Sequence, residues 1–230
     1  MRIIDELTNA LYPVKCVFCD NVMQVGAELE ICEDCAPKIP FFMSDYLMVD
    51  PAGVSGDGCD RVICALKHTK MVKNAIKKYK FNERAEFGKT FGALLAEKIR
   101  RVEGLGVFDI VTAIPLTGTR EKERGYNQAN IIAEYVAMSL GTDFNPGLLV
   151  KSTGTLRQSG LNKAERERNA RGSFSLSSGA AGLINGSTVL LIDDISTTLS
   201  TINAAASALK KGGAAVVVGA VVTSGMAGNT

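Results

Sequence analysis

The sequence predicts an α/β protein in which a parallel sheet follows a small cysteine-rich N-terminal part. Strand and helix patterns alternate from residue 108 to residue 222, which is typical of a parallel sheet with crossover helices. The strands are continuous apolar runs, as expected where a sheet is buried on both faces. Four cysteines before residue 40 distinguish the N-terminal part. Pro40, Pro51 and three nearby glycines mark a junction, so we expect two domains, 1–45 and 46–230.

Composition and charge restrict the class of protein more than its function. The chain has 230 residues, 46% of them hydrophobic, and a formal net charge of +2, so the overall charge favours no class of partner. No apolar run approaches about 18 residues, and we therefore expect no transmembrane segment. Asp5 and Glu6 lie where a signal peptide would be apolar, which predicts a cytoplasmic protein.

The N-terminal part combines a predicted helix with a candidate zinc site. Residues 1–13 have the spacing of a short amphipathic helix that ends at Pro13. Two Cys-x-x-Cys pairs follow, with twelve residues between them: Cys16, Cys19, Cys32 and Cys35. Four thiolates at this spacing suit a tetrahedral Zn²⁺ with no open position, hence a structural one.

A metal would also explain how so short a segment folds. About 40 residues bury little core, and zinc binding supplies about 10–16 kcal/mol in comparable peptides. A redox dithiol and a disulfide pair are the alternatives. Cys59 and Cys64 have no partner at ligand spacing and are predicted to be small core residues.

A lysine-rich segment, Lys67–Lys80, follows the junction. It contains six lysines, the single histidine His68 and no acid. Val72, Ile76 and Tyr79 share one face of a predicted helix, so the lysines cover the opposite face. That face is either simply solvated or a surface for a pyrophosphate or a nucleic-acid backbone.

The next predicted unit is a strand, a loop and a helix with basic residues in the loop. An amphipathic helix at 84–101 precedes a strand at Phe108–Ile114, a loop at Leu116–Arg124 and a helix at about 127–140. Arg120 and Arg124 lie in the loop, and guanidinium groups bind phosphate oxygens in a bidentate manner. The alternative is a solvated turn.

A basic segment separates this unit from the last one. Arg157–Arg171 carries five basic residues and two acids, with few apolar positions. We predict a mobile, partly helical loop that closes over a ligand. A disordered insertion is the alternative.

The final unit contains the most informative stretch of the chain. Val189–Ile192 is predicted to be a buried strand, and Asp193 and Asp194 follow it directly. A hydroxyl-rich loop, Ser196–Thr201, opens a helix whose free N–H groups and partial positive charge favour an anion. The two carboxylates would accept from sugar hydroxyls or bind a metal, so the unit predicts a sugar-phosphate site.

The chain then closes with one more strand. Lys211, Gly212 and Gly213 turn it, and Ala214–Val222 is predicted to be a last buried strand. We expect Thr223–Thr230 to be a frayed tail.

Residues 193–201 resemble the phosphoribosyl-pyrophosphate motif of type I phosphoribosyltransferases, Asp-Asp-x-x-Thr-Thr-Gly-x-Thr. The match fails at Leu199, where that family has glycine. Glycine adopts a positive φ without cost, whereas leucine has a steric penalty there. The departure implies either a different loop path or weaker phosphate binding.

Further matches narrow the resemblance to the ComF family. Arg124–Ala129 is similar to its Arg-Gly-Phe-Asn-Gln-Ala motif, and Lys80-Phe81 to its Lys-Phe pair. A third match begins at Gln158 and includes Glu165-Arg166. The resemblance runs from Cys16 to about Val222. It implies a small N-terminal zinc-knuckle domain and a type I phosphoribosyltransferase-like domain that binds phosphoribosyl pyrophosphate with Mg²⁺.

The resemblance also implies roles for individual residues. Asp193 and Asp194 would bind the ribose hydroxyls directly or through the metal, and Arg120 and Arg124 would face the pyrophosphate. Lys80 and Gln158 would contribute to ligand binding. The loop that would hold the 5′-phosphate consists of Ser196, Thr197, Thr198, Leu199, Ser200 and Thr201.

Three functions stay open on the sequence. The first is a ComF-like protein that binds phosphoribosyl pyrophosphate and Mg²⁺. Transfer to an unknown acceptor is left open; preorganised acids and arginines would stabilise the charges that develop as pyrophosphate leaves. The family is associated with natural competence, which implies the second, a non-enzymatic factor that binds single-stranded DNA and acts with the DNA-uptake machinery. The third is a ligand-sensing regulator, since a fold can bind its ligand and transfer nothing.

Overall fold

The computed structural model describes residues 13–24, 27–49, 58–81, 84–151 and 173–228. The predicted helix at 1–13, apart from Pro13, lies outside these ranges. The predicted lid Arg157–Arg171, with the candidate ligand residue Gln158, also lies outside them.

The described residues form a six-stranded main sheet. Its strands are β1 Met48–Val49, β2 Arg61–Lys67, β3 Ile110–Ala113, β4 Asp143–Phe144, β7 Thr188–Ser196 and β8 Val216–Ser224. They lie in the order β1-β2-β8-β7-β3-β4, and all neighbouring strands are parallel except β1 and β2. An antiparallel pair outside this sheet joins β5 Leu149–Lys151 to β6 Phe174–Leu176.

The helices occupy both faces of the sheet, which confirms the predicted α/β class. They are α1 Lys70–Phe81, α2 Phe87–Arg101, α3 Gly118–Arg124, α4 Gln128–Leu140, α5 Ala181–Ile184 and α6 Ser200–Lys211. Short 3₁₀ turns lie at Ala36–Lys38 and Gly225–Gly228. Among the described residues, none of these helices has both the length and the apolarity required to cross a bilayer.

Successive side chains of the central strand β7 point to opposite faces of the sheet and pack into two separate core clusters. Leu190 and Ile192 pack with α1, α2 and α4 on one face. Val189 and Leu191 pack with α6 and the β5–β6 pair on the other. The run Val189–Ile192 is therefore buried on both faces, as predicted for a central parallel strand.

The helical faces predicted from periodicity are also the buried faces. Val72, Ile76 and Tyr79 of α1 are in the first core cluster. Ile202 and Leu209 of α6 are in the second. Cys59 and Cys64 are buried in that second cluster too, as small core residues.

Three predicted boundaries were wrong. Strand β7 continues to Ser196 and includes both aspartates, because its ladder with β8 runs as far as the Ser196–Ser224 pair. For the same reason the chain does not fray at Thr223, whose buried hydroxyl donates to Leu66 O at 3.0 Å. The loop expected at Leu116–Arg124 contains α3, which ends at Arg124 and is capped by Gly125 with φ of 76°.

Candidate functional site

A cleft lies at the carboxyl ends of β3 and β7. These strands are parallel neighbours, with Ala113 opposite Ile192, so the residues that follow each of them meet at one edge of the sheet. The cleft has a volume of about 170 Å³. The charged side chains that line it are Lys80, Arg120, Arg124, Lys151, Asp193 and Asp194.

Lys80 and Asp194, which both line this cleft, form an ion pair. Lys80 Nζ lies 2.9 Å from Asp194 Oδ1, and the two side chains are only 16% and 7% exposed. Lys80 comes from the last turn of α1, on one face of the sheet, and Asp194 from the end of the central strand. A mostly buried charge pair of this kind fixes the distance between the two elements, because separating the charges would leave each one unpaired.

Asp193 has a different environment from its neighbour. Its Oδ1 accepts a hydrogen bond from the Asp194 backbone N–H at 2.9 Å. Burial and the Asp194 carboxylate raise the pKa of Asp193 to about 8, although Lys80 acts in the opposite direction. A cation or several hydroxyl donors placed in the cleft would favour the ionised form again. Two carboxyl groups at one cleft are therefore suited to oxygen-preferring Mg²⁺ or to vicinal sugar hydroxyls.

The end of α1 is hydrogen-bonded to the segment between α3 and α4. Tyr126 donates its hydroxyl proton to the backbone O of Tyr79. Tyr79 in turn donates to the backbone O of Gln128 at 2.8 Å. The guanidinium of Arg124 lies 5.3 Å from the ring centroid of Phe81. The two sequence motifs that carry Lys80-Phe81 and Arg124–Ala129 thus form one structural unit.

Side-chain hydrogen bonds also hold this segment to the sheet. Asn127 caps α4 by accepting from the Ala129 N–H at 3.0 Å, and it donates to the backbone O of Ile114 at 3.1 Å. Arg124 Nη1 donates to Gln128 Oε1 at 2.8 Å. These hydrogen bonds hold the Arg124 side chain in position at the cleft.

The turn between β7 and α6 has a leucine in a left-handed conformation. Leu199 has φ of 59° and ψ of −4°, and its N–H donates to Ser196 Oγ at 3.1 Å. This positive φ is the conformation that glycine favours, so leucine bears a steric cost of about 1–2 kcal/mol. The Leu199 side chain is 5% exposed and packs in the core beside α6. Its burial offsets the strain.

The cleft brings together only part of the predicted ligand-binding set. Lys80, Arg120, Arg124, Asp193, Asp194 and Thr201 line it. Ser196 is buried and bonded to the Leu199 N–H, while Thr197 and Thr198 are exposed on the adjacent turn. Ser200 Oγ lies 2.8 Å from Thr198 Oγ1. Of the hydroxyl-rich segment 196–201, only Thr201 lines the cleft.

Lys151, Asn127 and Gln128 line the cleft but were not predicted as site residues. The last two lie within the motif Arg124–Ala129, so a signal for them existed. Lys151 ends the short strand β5, with Nζ 5.0 Å from the Phe174 ring centroid. Burial and the nearby Arg120 guanidinium lower the pKa of Lys151, and Asp193 opposes this.

The four cysteines of the N-terminal part converge as the spacing predicted. The Sγ atoms of Cys16, Cys19, Cys32 and Cys35 all lie within 4.8 Å of one another. Cys19 Sγ and Cys32 Sγ are 3.6 Å apart, close to the edge of a tetrahedron with Zn–S bonds of about 2.3 Å. All six cysteines are described and free, so the disulfide alternative is not realised.

The environment of Cys16 also suits a thiolate ligand. The backbone N–H of Cys32 donates to Cys16 Sγ at 3.4 Å. Burial raises the pKa of Cys16, but backbone hydrogen bonds from Cys32 and its other neighbours outweigh it and lower the pKa to about 7. The donor set therefore fits a structural zinc ion.

The N-terminal part that carries this cysteine cluster packs against α1, which borders the cleft, and against α2. Val17 and Phe18 are buried in the same core cluster as α1 and α2. Asp20 forms an ion pair with Lys78 of α1, and the Glu30 backbone N–H donates to Thr90 Oγ1 of α2 at 3.0 Å. The residues that follow Cys16 thus help to position the helix that carries Lys80.

Sequence comparisons relate part of this chain to known proteins. The family model of the phosphoribosyl transferase domain matches residues 123–229. The DNA utilization protein YhgH of Salmonella typhimurium is 28% identical over 145 residues, which cover 62% of each chain. Competence protein F of Haemophilus influenzae is 26% identical over 147 residues, which cover 63% of this chain and 64% of the relative. The chain thus matches less than two thirds of the length of these relatives.

Among solved structures, the adenine phosphoribosyltransferase of Leishmania donovani is 15% identical, with a TM-score of 0.38. The match covers 66% of this chain and 70% of that one. The glutamine phosphoribosylpyrophosphate amidotransferase of B. subtilis is 19% identical, with a TM-score of 0.35. That match covers 60% of this chain and 26% of the other.

We predict about one zinc ion per chain, lost in Cys32→Ser because three thiolates hold Zn²⁺ less tightly than four. Metal analysis should detect the loss, and hydrogen exchange should show residues 13–49 unprotected. The matched control is Cys59→Ser, a buried cysteine outside the cluster, which should retain its zinc. Full zinc content and protection in Cys32→Ser would contradict the assignment.

We predict that Leu199→Gly lowers the free energy of unfolding by about 1–3 kcal/mol. Loss of the buried side chain costs about 2–4 kcal/mol, and relief of the positive φ returns about 1 kcal/mol. The control Leu199→Ala loses most of the same packing but keeps the strain, so it should be no more stable than the glycine variant. Urea denaturation measures both. A glycine variant clearly less stable than the alanine variant would mean that position 199 is unstrained.

Proposed function

We propose that this chain, which belongs to the ComF family, binds phosphoribosyl pyrophosphate together with Mg²⁺ in the cleft at the carboxyl ends of β3 and β7. One observation carries the proposal: the acid pair at the end of β7 shares a cleft with cations from α1, α3 and β5. A phosphorylated pentose has the complementary chemistry, since it combines vicinal hydroxyls with anionic phosphates. Carboxylates accept from hydroxyls, and lysine and arginine side chains bind phosphate oxygens.

We assign the 5′-phosphate to the turn that opens α6. The residues from Thr197 to Thr201 offer backbone N–H groups and hydroxyls, and a helix N-terminus favours negative charge. Ser196 supports the turn through its bond to the Leu199 N–H. This places the phosphate beside Thr201, the turn residue that lines the cleft.

We assign the ribose hydroxyls to Asp193 and Asp194 and the pyrophosphate to Arg120 and Arg124. Mg²⁺ would neutralise part of the phosphate charge and bring the two sets of ligands together. The raised pKa of Asp193 supports this arrangement, because a bound cation or sugar would stabilise the ionised carboxylate. Lys80, paired with Asp194 at 2.9 Å, orients that carboxylate.

The same groups would support phosphoribosyl transfer to an acceptor. As pyrophosphate leaves, positive charge develops on the sugar and negative charge on the leaving group. Fixed carboxylates on one side and guanidinium groups on the other stabilise these charges without moving. Release of pyrophosphate after mixing with an acceptor would establish an enzyme, whereas tight binding without release would indicate a ligand-sensing regulator.

We also propose a role in the use of incoming DNA, because the curated relatives are named for DNA utilization and competence. Single-stranded DNA binding is the second candidate activity. It is favoured by the face of α1 that carries the exposed Lys70, Lys73 and Lys77. The division into domains 1–45 and 46–230 and a cytoplasmic location remain proposals.

Isothermal calorimetry should detect phosphoribosyl pyrophosphate binding that requires Mg²⁺ and falls at least about tenfold in Asp194→Asn. The matched control is Asp143→Asn, an exposed acid of β4 outside the cleft.

The affinity for phosphoribosyl pyrophosphate should rise between about pH 7 and pH 9, because the ligand needs the ionised form of Asp193 and the pKa of Asp193 is about 8. Asp193→Asn should remove that dependence. No binding heat from folded, zinc-loaded protein would overturn the proposal.

For the second candidate, we expect single-stranded DNA affinity to fall steeply with salt. Replacing Lys70, Lys73 and Lys77 together by alanine should weaken it and flatten the salt dependence. Fluorescence anisotropy with a labelled oligonucleotide measures both. Unchanged affinity in the triple variant would exclude this face of α1 as the DNA contact.

A further inference from the structure

Gln128 has an unusual position at the cleft. It is the first residue of α4, its side chain is only 1% exposed, and it nevertheless lines the cleft. A buried amide normally has partners for both its donor and its acceptor, because an unpaired one costs the full desolvation of that group.

Only one half of this amide is satisfied. Oε1 of Gln128 accepts from Arg124 Nη1 at 2.8 Å. A guanidinium donates and cannot accept, so this bond fixes which end of the amide is oxygen. The other end, Nε2, has no hydrogen-bond partner within residues 13–24, 27–49, 58–81, 84–151 and 173–228.

The surroundings indicate what Nε2 would bind. Arg124 and Arg120 line the same cleft, so the space beside Gln128 favours an anionic oxygen. The main chain around Gln128 is held by the Tyr79 hydroxyl, which donates to its backbone O at 2.8 Å. The main chain at Gln128 and the oxygen end of its amide are therefore held in place before any ligand arrives.

We propose that Gln128 Nε2 donates a hydrogen bond to a pyrophosphate oxygen of the bound sugar. This inference rests on the proposed function. It adds a neutral hydrogen-bond donor that favours a sugar with a diphosphate over a sugar without one. Arg124 has two tasks in this arrangement: it faces the pyrophosphate, and it orients the Gln128 amide.

The test compares two ligands, phosphoribosyl pyrophosphate and ribose 5-phosphate, by calorimetry with Mg²⁺. Gln128→Met keeps the volume and removes the donor, so affinity for the diphosphate should fall about 10- to 100-fold. Affinity for ribose 5-phosphate should change less than about twofold, because that ligand carries only a hydroxyl at C1 and has no diphosphate oxygen to receive the bond. Equal losses for both ligands, or no loss for either, would overturn the inference.

The matched control is Asn130→Leu. Asn130 is on the same helix, and its Oδ1 also has no partner among the described residues, but it does not line the cleft. This variant should bind both ligands as wild type does. If it lost diphosphate affinity as Gln128→Met does, the effect would come from the helix and the inference would fail.

A double-mutant cycle separates a direct contact from an effect through Arg124. Gln128→Met should weaken diphosphate binding several-fold further in an Arg124→Met background. Gln128→Glu is the second variant, and it keeps the acceptor for Arg124. It should lose at least as much diphosphate affinity as Gln128→Met, because it removes the donor and places a carboxylate beside the diphosphate. Wild-type affinity in Gln128→Glu, with or without additional loss in the cycle, would mean that Gln128 only positions Arg124 and would overturn the inference.

The outcomes also distinguish the two levels of the proposal. Wild-type protein that binds neither ligand would overturn the proposed function and this inference together. Wild-type protein that binds the diphosphate, with Gln128 variants that bind it equally well, would overturn the inference alone.

Discussion

The ion pair between Lys80 and Asp194 connects the parts of this structure that define its cleft. It joins the last turn of α1 to the end of the central strand, at 2.9 Å and with both side chains mostly buried. Neither charge can be moved away without leaving the other desolvated and unpaired. The same helix contacts the cysteine cluster through Lys78 and Asp20. One helix therefore links a candidate metal site to a candidate ligand site, and loosening either end would alter the position of Lys80.

Periodicity predicted the layers of the fold because burial follows spacing. Val72, Ile76 and Tyr79 recur at helical intervals and all pack into one core. The run Val189–Ile192 is apolar without alternation and is buried on both faces. The end of β7 was mispredicted because charged residues suggested that the strand ended at Ile192. Its ladder with β8 instead extends the strand past both aspartates, and such long-range pairing leaves no local pattern.

Residues of the candidate site that lie in contiguous motifs could be identified from the sequence. Residues that reach the cleft through tertiary contacts could not. Asp193 and Asp194 were identified directly from the sequence. The importance of Gln128 depends on its burial and on the bond from Arg124, which only the folded chain shows. Lys151 reaches the cleft because β5 pairs with β6 across 22 intervening residues, from 152 to 173. Leu199 was correctly recognised as a departure, but its burial, which offsets the strain, could not be inferred from its neighbours.

The most direct test of the account is a crystal structure of the protein with phosphoribosyl pyrophosphate and Mg²⁺. The account predicts the 5′-phosphate on the backbone N–H groups that open α6, with ribose hydroxyls within hydrogen-bond distance, about 3 Å, of Asp193 and Asp194. Density for the sugar outside the cleft, with the acid pair in contact only with Lys80, would contradict it.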